Sequence, residues 1–363
     1  MNNVTYNLKY LTIIEPLGFL YGSAGRFLSP ENLVGRSGAK FPPSSTTLSG
    51  VFAANLDDDE ERRKLCVAGP FWGKTEQVHE EQNFYVPTPL NYLVKNGQIQ
   101  HKLHWDDQKK GWYDEQGNEP ADKFDKSTWI PINHWDNPTT VESPPWRFTP
   151  HLHPRLAQDQ RRVYIEDEDT PAENKKGSLF LENAVEMSPD TCLVYLSSHQ
   201  LESGWYRFGG EGHLVELTCI ELNGQLSNLL EQPINDQFAL ITPAVWGSNR
   251  LSYRYPVYNQ KEKSITTTQS TSETPYVWNT KTIFTSRAYP FRYRFGNHED
   301  PNRPKLLSRG RYAVPAGTVY VLEDSLSQSW LEWDESWFPR EGVSFKRWGC
   351  GLALPIKSLQ TSG

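Results

Sequence analysis

Three stretches of this chain hold residues whose types and spacing could do chemistry. The first is RFGGEGHLVEL, Arg207 to Leu217, where Gly209, Gly210 and Gly212 surround Glu211 and a strand-like run follows. Glycine at that density turns a chain through positive φ, or lets backbone approach a partner with no Cβ in the way. Backbone N–H groups bared in this manner can face an anion. The same residues also make a bulge or a tight hairpin. The second is the basic block Ser286 to Tyr312, with Arg287, Arg292, Arg294, Arg303, Lys305, Arg309 and Arg311 against Glu299 and Asp300. Tyr289, Phe291, Tyr293 and Phe295 interleave with its arginines. Guanidinium groups for phosphates and rings for bases are what single-stranded RNA recognition uses. A solvated basic hairpin with core aromatics uses the same residues. The third is HLHPR, where His151 and His153 would share one face of a strand, as two metal ligands or an acid–base pair must. No HExxH motif and no third ligand accompany them, and surface or core histidines read the same way.

Nucleotide fingerprints do not fit. GxGxxG needs a strand before it and a helix after it, so that a pyrophosphate meets the helix N-terminus. Here a strand follows the glycines. No GxxxxGK[ST] occurs, which excludes a P-loop ATPase at the level of motif.

The elements that must position these groups read as mixed α and β. Val4 to Leu11, running on to Ile13 and Ile14, has a strand pattern. In FPPSSTTLSGVFAAN the paired prolines forbid helix before them, and Ser44 or Ser45 can cap a helix from about Thr46 to Asn55. The acidic run Asp57 to Glu61 precedes Arg62, Arg63 and Lys64; it reads as the first turn of a helix favoured by the dipole, with a metal site as the alternative. GPFWGK, FYVPTPLNYL, GSLFLENAVEM, CLVYLSS, HLVELTCIEL and AVPAGTVYVLE read as strands, and LITPAVWG as an apolar run that ends in a turn. Residues 96–145 are polar and Trp-bearing and read as a hairpin insertion, not as packed core. Residues 261–275 are low-complexity and read as a mobile loop. The order suggests an α+β chain of two units, about 1–150 and 151–363.

The totals narrow the class. At 363 residues the chain is long enough for two or three cores. A net charge of -7 is not that of a freestanding nucleic-acid binder, yet a binding footprint is a local patch and not a sum. Thirteen Trp and 13% aromatics suit sugar binding, base stacking or partner interfaces. The four cysteines, Cys66, Cys192, Cys219 and Cys350, form no CxxC pair, which speaks against a zinc knuckle and a disulfide framework. No signal peptide and no membrane span are expected, so the chain reads as cytoplasmic.

Taken in order, several segments resemble one family over nearly the whole chain, from about Tyr10 to Pro355. They are EPLGFLYGSAGRF, FPPSSTTLSGVF, GPFWG, FYVPTPL, GSLFLENAVEM, FGGEGHLVEL, LITPAVWG, YAVPAGTVYVLE and GCGLALP. PPSxxTLxG, GGEG and VPAGxVY in this order are together quite specific. The family is that of the third subunit of the type III-B CRISPR effector, the Cmr complex, in the crRNA-tag-capping group of the RAMP superfamily. The resemblance implies a pair of ferredoxin-like, RRM-like units with glycine-rich loops and hairpin insertions. It implies a non-catalytic, RNA-binding scaffold for antiviral defence that holds the repeat-derived 5′ tag of the crRNA. Its implied partners are the large polymerase-like subunit and the first backbone RAMP subunit, with target RNA reached through the complex. No metal or cofactor is expected. Residues 96–145 and 261–275 depart from any tight family pattern.

On this reading Gly209, Gly210 and Gly212 let RNA or a neighbouring loop come close. Ser44, Ser45 and Thr46 begin a helix whose N–H groups can donate to a phosphate. Arg26, Arg207, Arg287, Arg292 and Arg294 are candidate phosphate clamps. Tyr289, Phe291 and Tyr293 are candidate base stackers. Surplus Trp and Tyr read partly as interface anchors. Two rival readings remain. One is a RAMP endoribonuclease for precursor crRNA, with His151 or His153 as general acid or base. The other is a carbohydrate-active protein with Trp platforms and paired carboxylates such as Glu166 and Asp167.

Overall fold

The structure, a computed structural model, describes residues 6–21, 41–154, 162–163, 179–210, 212–247, 251–257, 276–293 and 307–357. The fold is α+β, with mostly antiparallel sheets and few helices. The largest sheet has seven strands in the order Gly204–Phe208, His213–Glu221, Tyr10–Pro16, Thr191–Ser197, Val67–Lys74, Tyr85–Pro87, Trp129–Pro131. Its neighbours pair antiparallel throughout. The expected boundary near residue 150 falls between strands that share this sheet. Tyr10–Pro16 is central because it is apolar on both faces: Leu11 and Ile13 enter one core cluster, Ile14 the other.

Helix α1, Ser45–Asn55, covers one face of that sheet. Its apolar stripe is Leu48, Val51 and Phe52, an i, i+3, i+4 pattern. All three are buried among Ile14, Leu193, Tyr195, Phe208 and Leu217, each contributing about 1.5–3 kcal/mol. The acidic run forms helix α2, Asp59–Lys64, as the charge order predicts. The Asp58 carboxylate accepts from the Glu60 N–H at 2.8 Å, and the basic residues fill the last turn. Helix α3 spans Thr75–Glu81 and helix α4 spans Gly224–Glu231.

The opposite face of the large sheet shares a core with a second sheet, ordered Thr280–Phe284, Val319–Leu322, Gln237–Leu240, Ala353–Pro355. Phe238 stacks on Tyr320 at 4.9 Å, inside a cluster of Trp246, Trp278, Trp330 and Trp333. Much of the tryptophan surplus is therefore core. A third sheet pairs Trp146–Pro154 with Leu179–Met187, and that strand with Leu20–Tyr21.

Residues 96–145 behave only in part as the polar insertion expected of them. Two short hairpins form, Tyr92–Lys95 with Gln98–Lys102 and His104–Asp106 with Gly111–Tyr113. Trp129–Pro131, however, is a buried strand of the large sheet, and the Trp135 Nε1–H donates to the Pro355 carbonyl at 2.8 Å. The apolar run WIPI within polar surroundings drives this burial. Among the described residues no helix is long and apolar enough to cross a membrane. The four cysteines are free thiols, with Cys66, Cys192 and Cys350 buried.

Candidate nucleic-acid interface

The site begins where Pro42 and Pro43 deliver the chain to α1. Ser44 takes the N-cap position with extended backbone, φ -66° and ψ 160°, but its side chain does not cap. Its hydroxyl lies 2.7 Å from Thr46 Oγ1 instead. The Ser45 hydroxyl donates to the Trp348 carbonyl at 2.5 Å, and the Tyr195 hydroxyl donates to the Pro43 carbonyl at 2.7 Å. The Trp348 indole N–H donates to Ser49 Oγ at 3.3 Å. The 3-10 turn Phe345–Trp348 thus fastens the first turn of α1 from a point about three hundred residues away.

A cavity of about 430 Å³ lies between this helix start, the Val67–Lys74 strand and that turn. Its wall is mostly apolar, and none of the described residues lining it is charged. Ser44, Ser45, Tyr289 and Phe291 all line it, joined by Trp129 and Trp348. Residues picked separately for phosphate and base chemistry, some 240 positions apart, therefore meet in one place. Burial pushes the Tyr289 phenol up, and it pushes the Cys350 thiol on the same wall up to about 12. The cavity suits an uncharged ring whose charged substituents stay outside it. Sequence reasoning missed Trp129 and Trp348, because the wall is assembled from separate elements and leaves no periodic signal.

The glycines close the hairpin between Gly204–Phe208 and His213–Glu221. Gly209 at φ 78° and Gly212 at φ 68° are left-handed, a conformation that glycine adopts without strain. A Cβ on Gly209 would lie 3.9 Å from Thr47 Cγ2, so the turn rests against the first turn of α1. A Cβ on Gly210 would meet nothing within 4 Å. Arg207 is exposed. Strand alternation puts it on the sheet face opposite buried Phe208, away from α1.

The described part of the basic block is divided: Arg287 and Arg309 stay exposed, while Arg292 and Arg311 turn inward. Arg311 is buried; its guanidinium pairs with Glu341 at 2.6 Å and lies 4.9 Å from the centre of the Phe345 ring. Tyr293 is 7% exposed, with its ring against Phe345 and Trp348, and burial pushes its phenol up. No base can stack on a ring so enclosed, which makes Tyr293 a core aromatic. Arg292 is half-buried, and its Nε–H donates to the Ser308 carbonyl at 2.8 Å. Arg287 is exposed two residues before Tyr289.

His151 and His153 both fall on the Trp146–Pro154 strand, in register with Glu182 and Phe180. The His151 ring lies 5.7 Å from that of Phe19. Among the described residues no group of three or more His, Cys, Asp and Glu could hold a metal. Arg26, Arg294, Arg303, Lys305, Glu166, Asp167 and Glu211, and residues 261–275, lie outside the described residues.

No protein-family model and no curated protein matches the chain. Its matches are among solved structures. A chain of the cryo-EM structure of the type III-B Cmr-beta bound to cognate target RNA is 10% identical, with 86% of each chain covered and a TM-score of 0.43. A chain of the Csm3-Csm4 subcomplex in the type III-A CRISPR-Cas interference complex is 9% identical, over 88% of this chain and 94% of that one, with a TM-score of 0.35. A chain of the Csm1-Csm4 cassette in complex with pppApA is 9% identical over 88% of each, with a TM-score of 0.31. Solved structures to which this chain is remotely similar thus include chains of type III-B Cmr and type III-A Csm assemblies.

Proposed function

We propose that this chain is a non-catalytic RNA-binding subunit of a type III-B CRISPR (Cmr) RNA-guided interference complex. In this reading it is cytoplasmic and holds the repeat-derived 5′ tag of the crRNA. It docks the large polymerase-like subunit and the first backbone RAMP subunit, and meets target RNA only through the complex. The ordered segments from Tyr10 to Pro355 support the family. The observation that carries the RNA role is the convergence of Ser44, Ser45, Tyr289 and Phe291 on one uncharged cavity beside the start of α1. A base would enter the cavity, while its phosphate stays near Thr46 and the N–H groups of the first turn. The large sheet also supports a ferredoxin-like reading, with strands drawn from both sides of residue 150. His213–Glu221, Tyr10–Pro16, Thr191–Ser197 and Val67–Lys74 stand side by side, with α1 linking the first two strands in sequence.

The test is a tagged pull-down from the native host, with mass spectrometry of the proteins and sequencing of the bound RNA. Small RNAs sharing one 5′ repeat-derived tag, together with a large polymerase-like subunit and several RAMP subunits, are expected. A clean monomer without RNA overturns the reading.

A further inference from the structure

Trp205 is 71% exposed, the most open of the large apolar residues described. It stands on Gly204–Phe208, the end strand of the seven-stranded sheet, and among the described residues no further strand lies beyond it there. Along that strand Tyr206 and Phe208 face the α1 side, where Phe208 is 1% exposed. Trp205 and Arg207 share the other face, about 7 Å apart along the strand. Both lead directly into the glycine turn, where Gly210 leaves open space. Across the hairpin, Trp205 is in register with exposed Glu216, and Arg207 with exposed Leu214.

We infer that this face is a second RNA subsite, with Trp205 as the platform for one unpaired base and Arg207 as the clamp for its phosphate. The inference rests on the RNA-binding reading above and adds a subsite on the opposite side of the sheet from α1. The charges give the subsite a direction. Arg207 sits at the glycine end, where the space around Gly210 is open to a phosphate. Glu216 sits beside the indole, where a phosphate is repelled and a base edge is accepted. A carboxylate only accepts hydrogen bonds, so it favours a base with an exocyclic amino group. The subsite therefore takes cytidine in preference to uridine. Glu15 lies next to Glu216 across the sheet and is occupied by His79 at 3.7 Å, which leaves Glu216 to meet the base.

The test is fluorescence anisotropy of the full chain with end-labelled oligocytidine and oligouridine across a salt series. Trp205→Ala is expected to weaken both by roughly tenfold or more, with the salt slope unchanged because stacking carries no charge. Trp205→Phe should keep most of the affinity. Arg207→Ala should weaken binding and reduce the slope by about one. Glu216→Gln should abolish the preference for oligocytidine. If the wild type binds RNA and Trp205→Ala binds it equally well, this inference is overturned alone, and the open indole belongs to a protein interface. If the wild type binds neither oligonucleotide, the RNA-binding reading falls with it.

Discussion

Arg207 and Arg311 each sit on a strand of a hairpin with aromatic neighbours, and they end in opposite surroundings. Arg207 is exposed opposite Leu214, beside a turn with open space at Gly210. Arg311 is opposite Phe291, buried, pinned by Glu341 at 2.6 Å and backed by Phe345. The first strand is at the edge of a sheet; the second lies against the C-terminal core. Arginine and aromatic residues are what RNA recognition requires, and they are also what a buried cation needs around it. Residue type nominates a site, and position in the fold decides between the two uses.

The largest expected effect breaks the inward half of that comparison. Arg311→Ala leaves half-buried Glu341 without its guanidinium partner and empties the buried space over the Phe345 ring, so it should lower unfolding free energy by about 2–3 kcal/mol. Arg207→Ala, at an exposed site, should stay within about 0.5 kcal/mol. Urea unfolding of the two variants checks this, and equal losses would mean that the contrast is not real.

A second inward cation should show itself through pH. Lys346 is fully buried, and its ammonium donates to the Leu331 carbonyl at 2.9 Å and to the Trp333 carbonyl. It lies over the Tyr6 ring at 4.0 Å. Burial brings its pKa down to about 7, against the pull of the carboxylates Glu335, Asp334 and Glu332. Cys66 is pushed up to about 12 by burial and stays neutral in this range. Between about 7 and the ordinary 10.5 the unfolded chain holds the proton and the folded chain does not. Stability should therefore rise with pH from about 7 upward. Buried tyrosines such as Tyr195 and Tyr320, raised by burial, reverse the trend once pH passes about 10. Lys346→Met should flatten the rise in Tm. A Tm that falls over this window would contradict a lowered pKa at Lys346.

These contrasts show how far the sequence was legible. Strand runs such as CLVYLSS and HLVELTCIEL could be read because their apolar pattern is local. The start of α1 followed from two prolines and two serines, and the acidic run Asp57 to Glu61 from helix electrostatics. Tyr293 could not be told from a base stacker, because the rings that enclose it, Phe345 and Trp348, arrive from more than fifty residues away. The cavity wall was hidden for the same reason. Trp205 was visible in principle: in GWYRFGG it alternates with Arg207 just before the glycines, a two-residue period that marks one face of a strand.

The smallest effects on stability sharpen the outward half. Gly209→Ala forces a side chain into φ 78° and should cost about 1 kcal/mol. Gly210 makes the finer test. It has no positive φ, and an added Cβ meets nothing within 4 Å, so the fold does not require glycine there. Gly210→Val should leave unfolding free energy within about 0.5 kcal/mol of wild type. It should nonetheless weaken single-stranded RNA binding, because the branched side chain fills the space through which a phosphate reaches the backbone. Anisotropy and urea unfolding on the same preparation separate the two quantities. Lost affinity at full stability gives Gly210 a role that the chain's own packing does not explain. Affinity and stability both unchanged would make the three glycines turn formers, and the outward hairpin would then owe its RNA contacts to Trp205 and Arg207 alone.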